Sequence, residues 1–478
     1  SYTQPTITDN GDGTYTAVIA VPPPDPTKGS APYAVDFTAS IPAPQMSSPV
    51  QVQLTNPVPR IVGPLHTSSP SGSTPAQILD ANGRQVILEG MNALDTQFPY
   101  NNDGSEPLTP VMVGNLYNWG YNFVRLELSS DLLLQQCPQS GSSFANPYYD
   151  ASYVDKIKDQ VNLITSYGMY ILLDMHMVEG NCQTLGSEAG GTGADVLPSQ
   201  QEADAFWQRI AAEFNGNPLV GFEPYNEPHV CEGTLYLTSS YSSPCSAGTA
   251  SAQAYVQGGT VSTGATTSYA AAGMAEMYND IRAQSTSNLV FLDANGYASY
   301  PESFHYMAQE GMPSLSQTVY VFHYYHCQAS STNGTANCDT TTPEYCASVQ
   351  ALTTKNIDPV SGSLWPAPVV VDEFGWPEGE TTYETGPTST FTVAGNGLYI
   401  NNVIAEMQQA GVGWALFAYG SFGPNPWQGP YDTILTPNFP AGHEYWTPSA
   451  DGQAAINGIQ AQAQGQHLNC TNPPAGDG

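Results

Sequence analysis

From Ala76 onward the chain alternates between two rhythms. Short apolar runs of strand length recur, and between them apolar residues fall at the three-and-four spacing of an amphipathic helix. The runs are VILEGMN, YNFVRLE, MYILLDMH, LVGFEPYNE, LVFLDANG, VYVFHYY, PVVVDEFG and VGWALFAYG. Most are apolar at consecutive positions, the pattern of strands covered on both faces, as in a parallel sheet. The linking segments carry helix punctuation. Asp150 stands as a cap ahead of Tyr153, Val154, Ile157, Val161 and Ile164, which share one face, and Gly168 follows as a stop. Ser199 and Glu202 have capping-box spacing ahead of Phe206, Trp207, Ile210 and Phe214. Eight strand-like runs, most followed by a helix, predict an α/β fold of the closed (β/α)8 kind over residues 76–470.

Residues 1–75 have another character. They are rich in Pro, Ser and Thr, with short alternating runs such as TYTAVIAV and VQVQL between turn signals. They read as a small β-rich appendage, or as an extended strap, ending in the linker-like HTSSPSGSTP. Just beyond, ILDANGRQVILEGMN reads as a hairpin turning at Asn82-Gly83.

In a (β/α)8 barrel the residues that do chemistry sit at the C-terminal ends of the strands. Those ends are Asn92, Arg125, His176, Asn226 with Glu227, His323 with Tyr325, Glu373 and Trp414. An Arg, two His and two Glu therefore converge on one rim in a chain that has only 9 Lys and Arg and 8 His. Two carboxylates at opposite strand ends are what acetal hydrolysis requires. One protonates the leaving oxygen and the other attacks the anomeric carbon, and a separation of about 5–5.5 Å gives retention through a covalent glycosyl-enzyme.

The same runs resemble glycoside hydrolase family 5, the retaining (β/α)8 cellulases and their relatives. Asn226-Glu227-Pro228 matches the family's N-E-P, whose Glu is the acid/base, and Glu373-Phe374-Gly375 matches E-F-G, whose Glu is the nucleophile. Arg125 matches the Arg of the second strand, Asp174 and His176 the D-x-H of the third, and His323 and Tyr325 the H-x-Y of the sixth. Residues 82–92 match the family's opening motif, and the resemblance covers about 76–465. The family's Trp at the end of the eighth strand falls on Phe417 here, with Trp414 three residues earlier.

The resemblance implies roles. Glu373 is held ionised by Arg125 and Tyr325, and Glu227 keeps its proton in surroundings that raise its pKa. Asn226 bonds the sugar 2-OH. His176 and His323 bind hydroxyls or orient the carboxylates, and Asn92 and Arg125 line the same site. Trp119, Trp376, Trp414, Trp427, Tyr297 and Phe417 are candidate stacking platforms. The implied function is a retaining β-glycosidase, an endo-β-1,4-glucanase first. A β-mannanase or an enzyme for another β-glycan or glycolipid stays open, as does exo-action if long loops wall the cleft. A non-catalytic carbohydrate-binding barrel is disfavoured because both Glu are present. No cofactor and no metal are called for.

Composition adds a setting. The chain has 42 Asp and Glu against 9 Lys and Arg, a formal net charge of −33. Charged residues are only 11% of the chain, against about 25% in ordinary domains. Bases are missing, rather than acids added. Such a field repels phosphate backbones and anionic lipids, so nucleic acid and membrane are excluded as partners and a poly- or oligosaccharide is expected, met by a monomer. Once its carboxylates protonate, the chain carries at most the charges of 9 Lys and Arg and 8 His, so an acidic medium suits it. Cysteines at 137, 182, 231, 245, 327, 338, 346 and 470 are even in number and lack zinc spacing. They are expected as loop disulfides of a secreted protein, Cys182 with Cys231 or Cys245, and two among Cys327, Cys338 and Cys346.

Overall fold

The computed structural model describes residues 7–9, 15–17, 61–93, 107–139, 142–145, 149–177, 196–230, 249–262, 268–307, 309–312, 315–324, 356–375, 383–384, 390–391, 397–419, 448 and 450–470. Eight strands close into a parallel barrel: β1 (Glu89–Ala93), β2 (Phe123–Ser129), β3 (Tyr170–Met177), β4 (Val220–Glu223), β5 (Val290–Asp293), β6 (Thr318–Tyr324), β7 (Val369–Phe374) and β8 (Gly413–Tyr419). Each strand pairs with the next, and β8 pairs with β1. Every strand coincides with one of the apolar runs, four of them extending one or two residues beyond it.

Among the described residues, α1 (Pro110–Trp119), α2 (Tyr153–Ser166), α3 (Gln200–Phe214), α4 (Thr249–Gln257), α5 (Met274–Gln284), α6 (Glu302–Met307), α7 (Leu398–Ala410) and α8 (Ala450–Ala463) supply the longer helices, with one short turn at Ser130–Leu133. Their apolar faces meet the outward side chains of the strands, Leu126, Leu173, Phe222 and Leu292 included, in one buried layer. The Ser199 hydroxyl accepts the Glu202 N–H and starts α3 as its spacing implied. Asp150 serves differently from expectation. It accepts from the backbone and hydroxyl of Ser152 and pairs with Lys156, while the residue flanking α2 is Ser152.

The inward positions form two layers. At the N-terminal end of the strands Phe123, Tyr170, Leu172, Phe291, Val319, Val321, Val370 and Ala415 fill the axis. The rings of Phe123 and Phe291 stack at 6.3 Å. Gly221 makes room for them: a Cβ there would lie 2.8 Å from the Tyr170 hydroxyl. Above this plug the inward positions turn polar: Asn92, Arg125, Glu127, Asp174, Glu223, Asp293, His323 and Asp372, all at or near zero exposure. Runs that look uniformly apolar thus carry one or two inward charges near their ends.

Residues on the near side of the boundary expected at 75/76 lie against the barrel. Ile61, Leu65 and Ile78 pack into the lower layer. The Ile61 N–H donates to the Gly168 carbonyl, and His66–Thr67 pairs with Ile78–Leu79. An apolar layer open to water at the barrel's base needs a cover, and residues on either side of the linker-like stretch provide it. The hairpin at Asn82-Gly83 forms, with Gly83 at φ +74° and the Asp80 carboxylate accepting from Asn82 and Arg84. Farther back, Ile7–Asp9 pairs antiparallel with Tyr15–Ala17. Cys470 is disulfide-bonded; the expected pairings among Cys182, Cys231, Cys245, Cys327, Cys338 and Cys346 lie outside the described residues.

Candidate active site

Arg125 organises the rim from below. It is fully buried, and its guanidinium uses every edge. Nε and Nη2 donate to the two oxygens of Glu223 at 2.8 and 2.6 Å. Nη1 donates to Glu373 Oε2 at 3.0 Å and to Asn92 Oδ1 at 2.9 Å. Nη2 also reaches Asn226 Oδ1 at 2.8 Å and Asp174 Oδ2 at 2.9 Å. A planar fork of five donors suits this: it fixes the nucleophile candidate, orients the Asn226 amide and pairs with two supporting carboxylates at once.

Glu373 ends β7 beside His323 in register, with 8% of its side chain exposed. Glu227 lies just past β4 and exposes 26% of its side chain. One oxygen of each, together with a ring nitrogen of His323, lie within 4.8 Å of one another. An approach that close falls short of the roughly 6.5–9.5 Å gap of inverting glycosidases and is compatible with retention.

The electrostatics of Glu227 correct the expectation of a raised pKa. Burial does push its carboxyl up, but the hydrogen bond and charge of His323, with the charges of His176 and His229, outweigh it and hold the group below its ordinary value. His323 Nδ1 sits 2.7 Å from Glu227 Oε1. Burial disfavours charge on His323, yet Glu373, Asp293 and Asp372 overcome that and raise it well above an ordinary imidazole. His176 follows the same logic. Burial opposes its charge, Glu127 and Asp174 favour it, and the balance pushes it up to about 10. Its Nδ1 lies 2.7 Å from Asp174 and its Nε2 3.4 Å from Glu127.

The other expected residues divide. Asn226 and His176 reach the cleft, half-buried and with 10% of the side chain exposed respectively. Asn92, Arg125 and His323 are buried and act on the carboxylates rather than as open sugar contacts. Asn92 also donates to the Asp372 and Leu416 carbonyls. Trp414 is corrected. It has no exposed surface and packs edge-on against Tyr121 and Phe374 in the layer beneath the helices, so it cannot be a sugar platform. Trp119 likewise packs on the helical layer. Phe417, half-buried near the end of β8, keeps the position. Tyr297 stacks face to face on His229 at 4.4 Å. Tyr325, Trp376 and Trp427 lie outside the described residues.

Glu127, His229, Asp293 and Asp372 belong to the site and were not singled out from the sequence. For the three carboxylates the signal was phase: Glu127 is two after Arg125, Asp293 two after Phe291, and Asp372 two after Val370, so each continues the inward face. Two trios have donor atoms close enough for a cation, Glu223–Asp293–His323 and Glu227–His323–Glu373. In both, the carboxylates already serve protein groups: Glu223 and Glu373 hold Arg125, Asp293 Oδ2 accepts the Glu227 N–H, and Glu227 pairs with the His323 ring.

Comparison with known proteins points to one family. The profile of the cellulase family, glycosyl hydrolase family 5, covers residues 79–423. Over 99 residues the chain is 38% identical to endoglycoceramidase I of Rhodococcus hoagii, a stretch covering 21% of this chain and 18% of that protein. Over 136 residues it is 31% identical to endo-β-1,4-glucanase A of Emericella nidulans, covering 28% of this chain and 36% of that one. These stretches span well under two thirds of either relative. In fold, the chain is similar to an endocellulase from Pyrococcus horikoshii solved with cellotetraose, at a TM-score of 0.52 and 15% identity over 84% of this chain and 100% of that one. It is also similar to a β-glucanase of Saccharophagus degradans, at a TM-score of 0.50 and 15% identity over 88% and 98%.

Proposed function

The chain belongs to glycoside hydrolase family 5, and from there we propose that it is a secreted, acid-active retaining β-glycosidase cutting β-1,4-glucan internally. One observation carries the chemistry: Glu227 and Glu373 bring an oxygen each within 4.8 Å across the barrel mouth. Glu373, gripped by Arg125, attacks the anomeric carbon while Glu227 hands its proton to the leaving oxygen. Glu227 then takes a proton from the water that releases the glycosyl-enzyme. Asn226 accepts from Arg125 through Oδ1, and its Nδ2 lies 3.5 Å from His176 Nε2, which leaves an amide N–H for a sugar hydroxyl.

The lowered Glu227 supports the acid reading together with the missing bases. A general acid works only below its own pKa, so the alkaline limb of the pH–rate profile moves down with it. The glucanase relatives support the substrate. The stretch shared with an endoglycoceramidase supports a second reading, a glucosylated lipid as aglycone.

The test is hydrolysis of soluble β-1,4-glucan, β-mannan and a glucosylceramide micelle between pH 2 and 8, with product lengths and first-formed anomer followed by NMR. Internal cuts in glucan, a β-anomer and an optimum below about pH 5 are expected. An α-anomer first would remove the double displacement, and an optimum at pH 7 would remove the acid assignment. Glu373→Ala should lose several orders of magnitude in kcat and regain turnover with azide as the α-glycosyl azide.

A further inference from the structure

Glu227 is not held by its own strand. It follows β4 with φ +48°, a left-handed backbone that a glutamate adopts only when its neighbours impose it. The imposing partner is the segment that follows β5. Asp293 Oδ2 accepts the Glu227 N–H at 2.7 Å. Asn295 exchanges two hydrogen bonds with the backbone of Val230, both 2.8 Å. The Tyr297 N–H donates to the Pro228 carbonyl at 3.1 Å, and the Tyr297 ring lies flat on His229. Asp293 is the deepest of these clamps, with no exposure.

Its second oxygen, Oδ1, has no hydrogen-bond partner as a bare carboxylate and lies in the buried charged layer. An oxygen of the Asp293 carboxyl and one of Glu223 lie within 4.8 Å of each other, both side chains fully buried. Two buried carboxyls that close are held together only if one carries a proton. Both oxygens of Glu223 are occupied by Arg125, so the proton belongs on Asp293. We propose that Asp293 is a positioning residue for the acid/base. Through the buried chain Glu227 N–H, Asp293, Glu223, Arg125 and Glu373, it holds the acid/base in register with the nucleophile. Burial, with the negative charges of Glu223 and Asp372, pushes the Asp293 carboxyl well above the usual range, against the pull of His323 and Arg125. As a neutral acid it has a carbonyl oxygen for Glu227 and an O–H for Glu223.

This inference rests on Glu227 being the acid/base, and the experiment separates the two claims. Asp293→Asn keeps an oxygen acceptor and an N–H donor in the same places, whereas Asp293→Ala keeps neither. Both variants, with Glu227→Ala and the parent, are assayed on cellotetraose and on 2,4-dinitrophenyl β-cellobioside, whose leaving group needs no acid help. Asp293→Ala should lower kcat on cellotetraose by about 100-fold with KM within about threefold. Its kcat/KM on the dinitrophenyl substrate should fall by less than about fivefold, since that constant reports only the first step. Asp293→Asn should stay within about fivefold of the parent on both.

Equal loss in Asn and Ala would overturn the neutral-acid role. A cellotetraose-to-dinitrophenyl ratio unchanged in Asp293→Ala would overturn the positioning role. Should Asp293→Ala fail to fold, Asp293→Asn decides alone, and a loss of about 50-fold or more on cellotetraose refutes the proposal. If Glu227→Ala matches the parent on cellotetraose, the acid/base assignment fails first.

Discussion

The lower and upper halves of the barrel axis are made by the same strands and are equally dry, yet they work in opposite ways. Below, Phe123, Leu172, Phe291, Val370 and Ala415 hold each other by contact alone. Above, Arg125 meets Asp174, Glu223 and Glu373 within 3.0 Å. Apolar packing tolerates exchange of one shape for another of similar volume. A buried charge tolerates no vacancy, because a partner left alone keeps the full desolvation penalty. The lower half is therefore a plug, and the upper half is a device in which each charge sets the state of the next.

The sharpest way to break that contrast is Arg125→Met. It strands Glu223 and Asp174 in the interior, so unfolding should cost about 3–5 kcal/mol less. Because Glu373 and Asn226 lose their common anchor, kcat should fall by about 100-fold or more in the protein that still folds. Denaturant titration beside single-turnover rates would separate the two losses. Equal activity in the folded fraction would show that Arg125 is only a brace.

Phe291→Ala is the matching cut below. It removes a fully buried ring stacked on Phe123 and should cost a similar 3–5 kcal/mol, or about that, with the cavity left behind. The folded fraction should nevertheless keep kcat within about threefold, since no catalytic contact depends on it. A kcat loss as deep as that of Arg125→Met would erase the distinction between plug and device.

The smallest effect is in pH. Burial pushes Glu127 up to about 8, so the stability it contributes is full below its ordinary value of 4.5 and is lost as pH rises through the folded value. The raised His176 works in the same sense, its share fading as pH rises through about 10. Glu227 works the other way, its share fading as pH falls through its lowered value. Thermal unfolding followed from pH 4 to 8 should show Tm falling toward neutrality. Glu127→Gln should flatten that fall by about 1–3 °C. A slope identical to the parent's would mean that surface repulsion alone governs it.

Much of this molecule was legible along the chain because its cues are local. A strand run, a cap at Ser199 or a turn at Asn82-Gly83 involves residues within a few positions of each other, and each formed where its pattern lay. The eight runs, with the motifs at their ends, also placed Glu227 and Glu373 on one rim, since a closed parallel barrel presents all strand ends together. Trp414 went the other way for a reason of phase. One position of β8 decides whether a ring faces the helices or the axis, and the apolar run GWALFAY carries no contrast to tell them apart.

What only the tertiary structure decided were the charges. The partner of Arg125 on β7 is 248 residues away, that of Glu227 on β6 is 96 away, and the clamp from Asp293 to the Glu227 backbone spans 66. Electrostatic energy depends on distance through a poorly screening interior, and nothing in the order of residues encodes that distance. The chain therefore determined which groups would stand at the mouth of the barrel. Closure of the barrel determined which of them face one another, and so which way the acid/base was tuned.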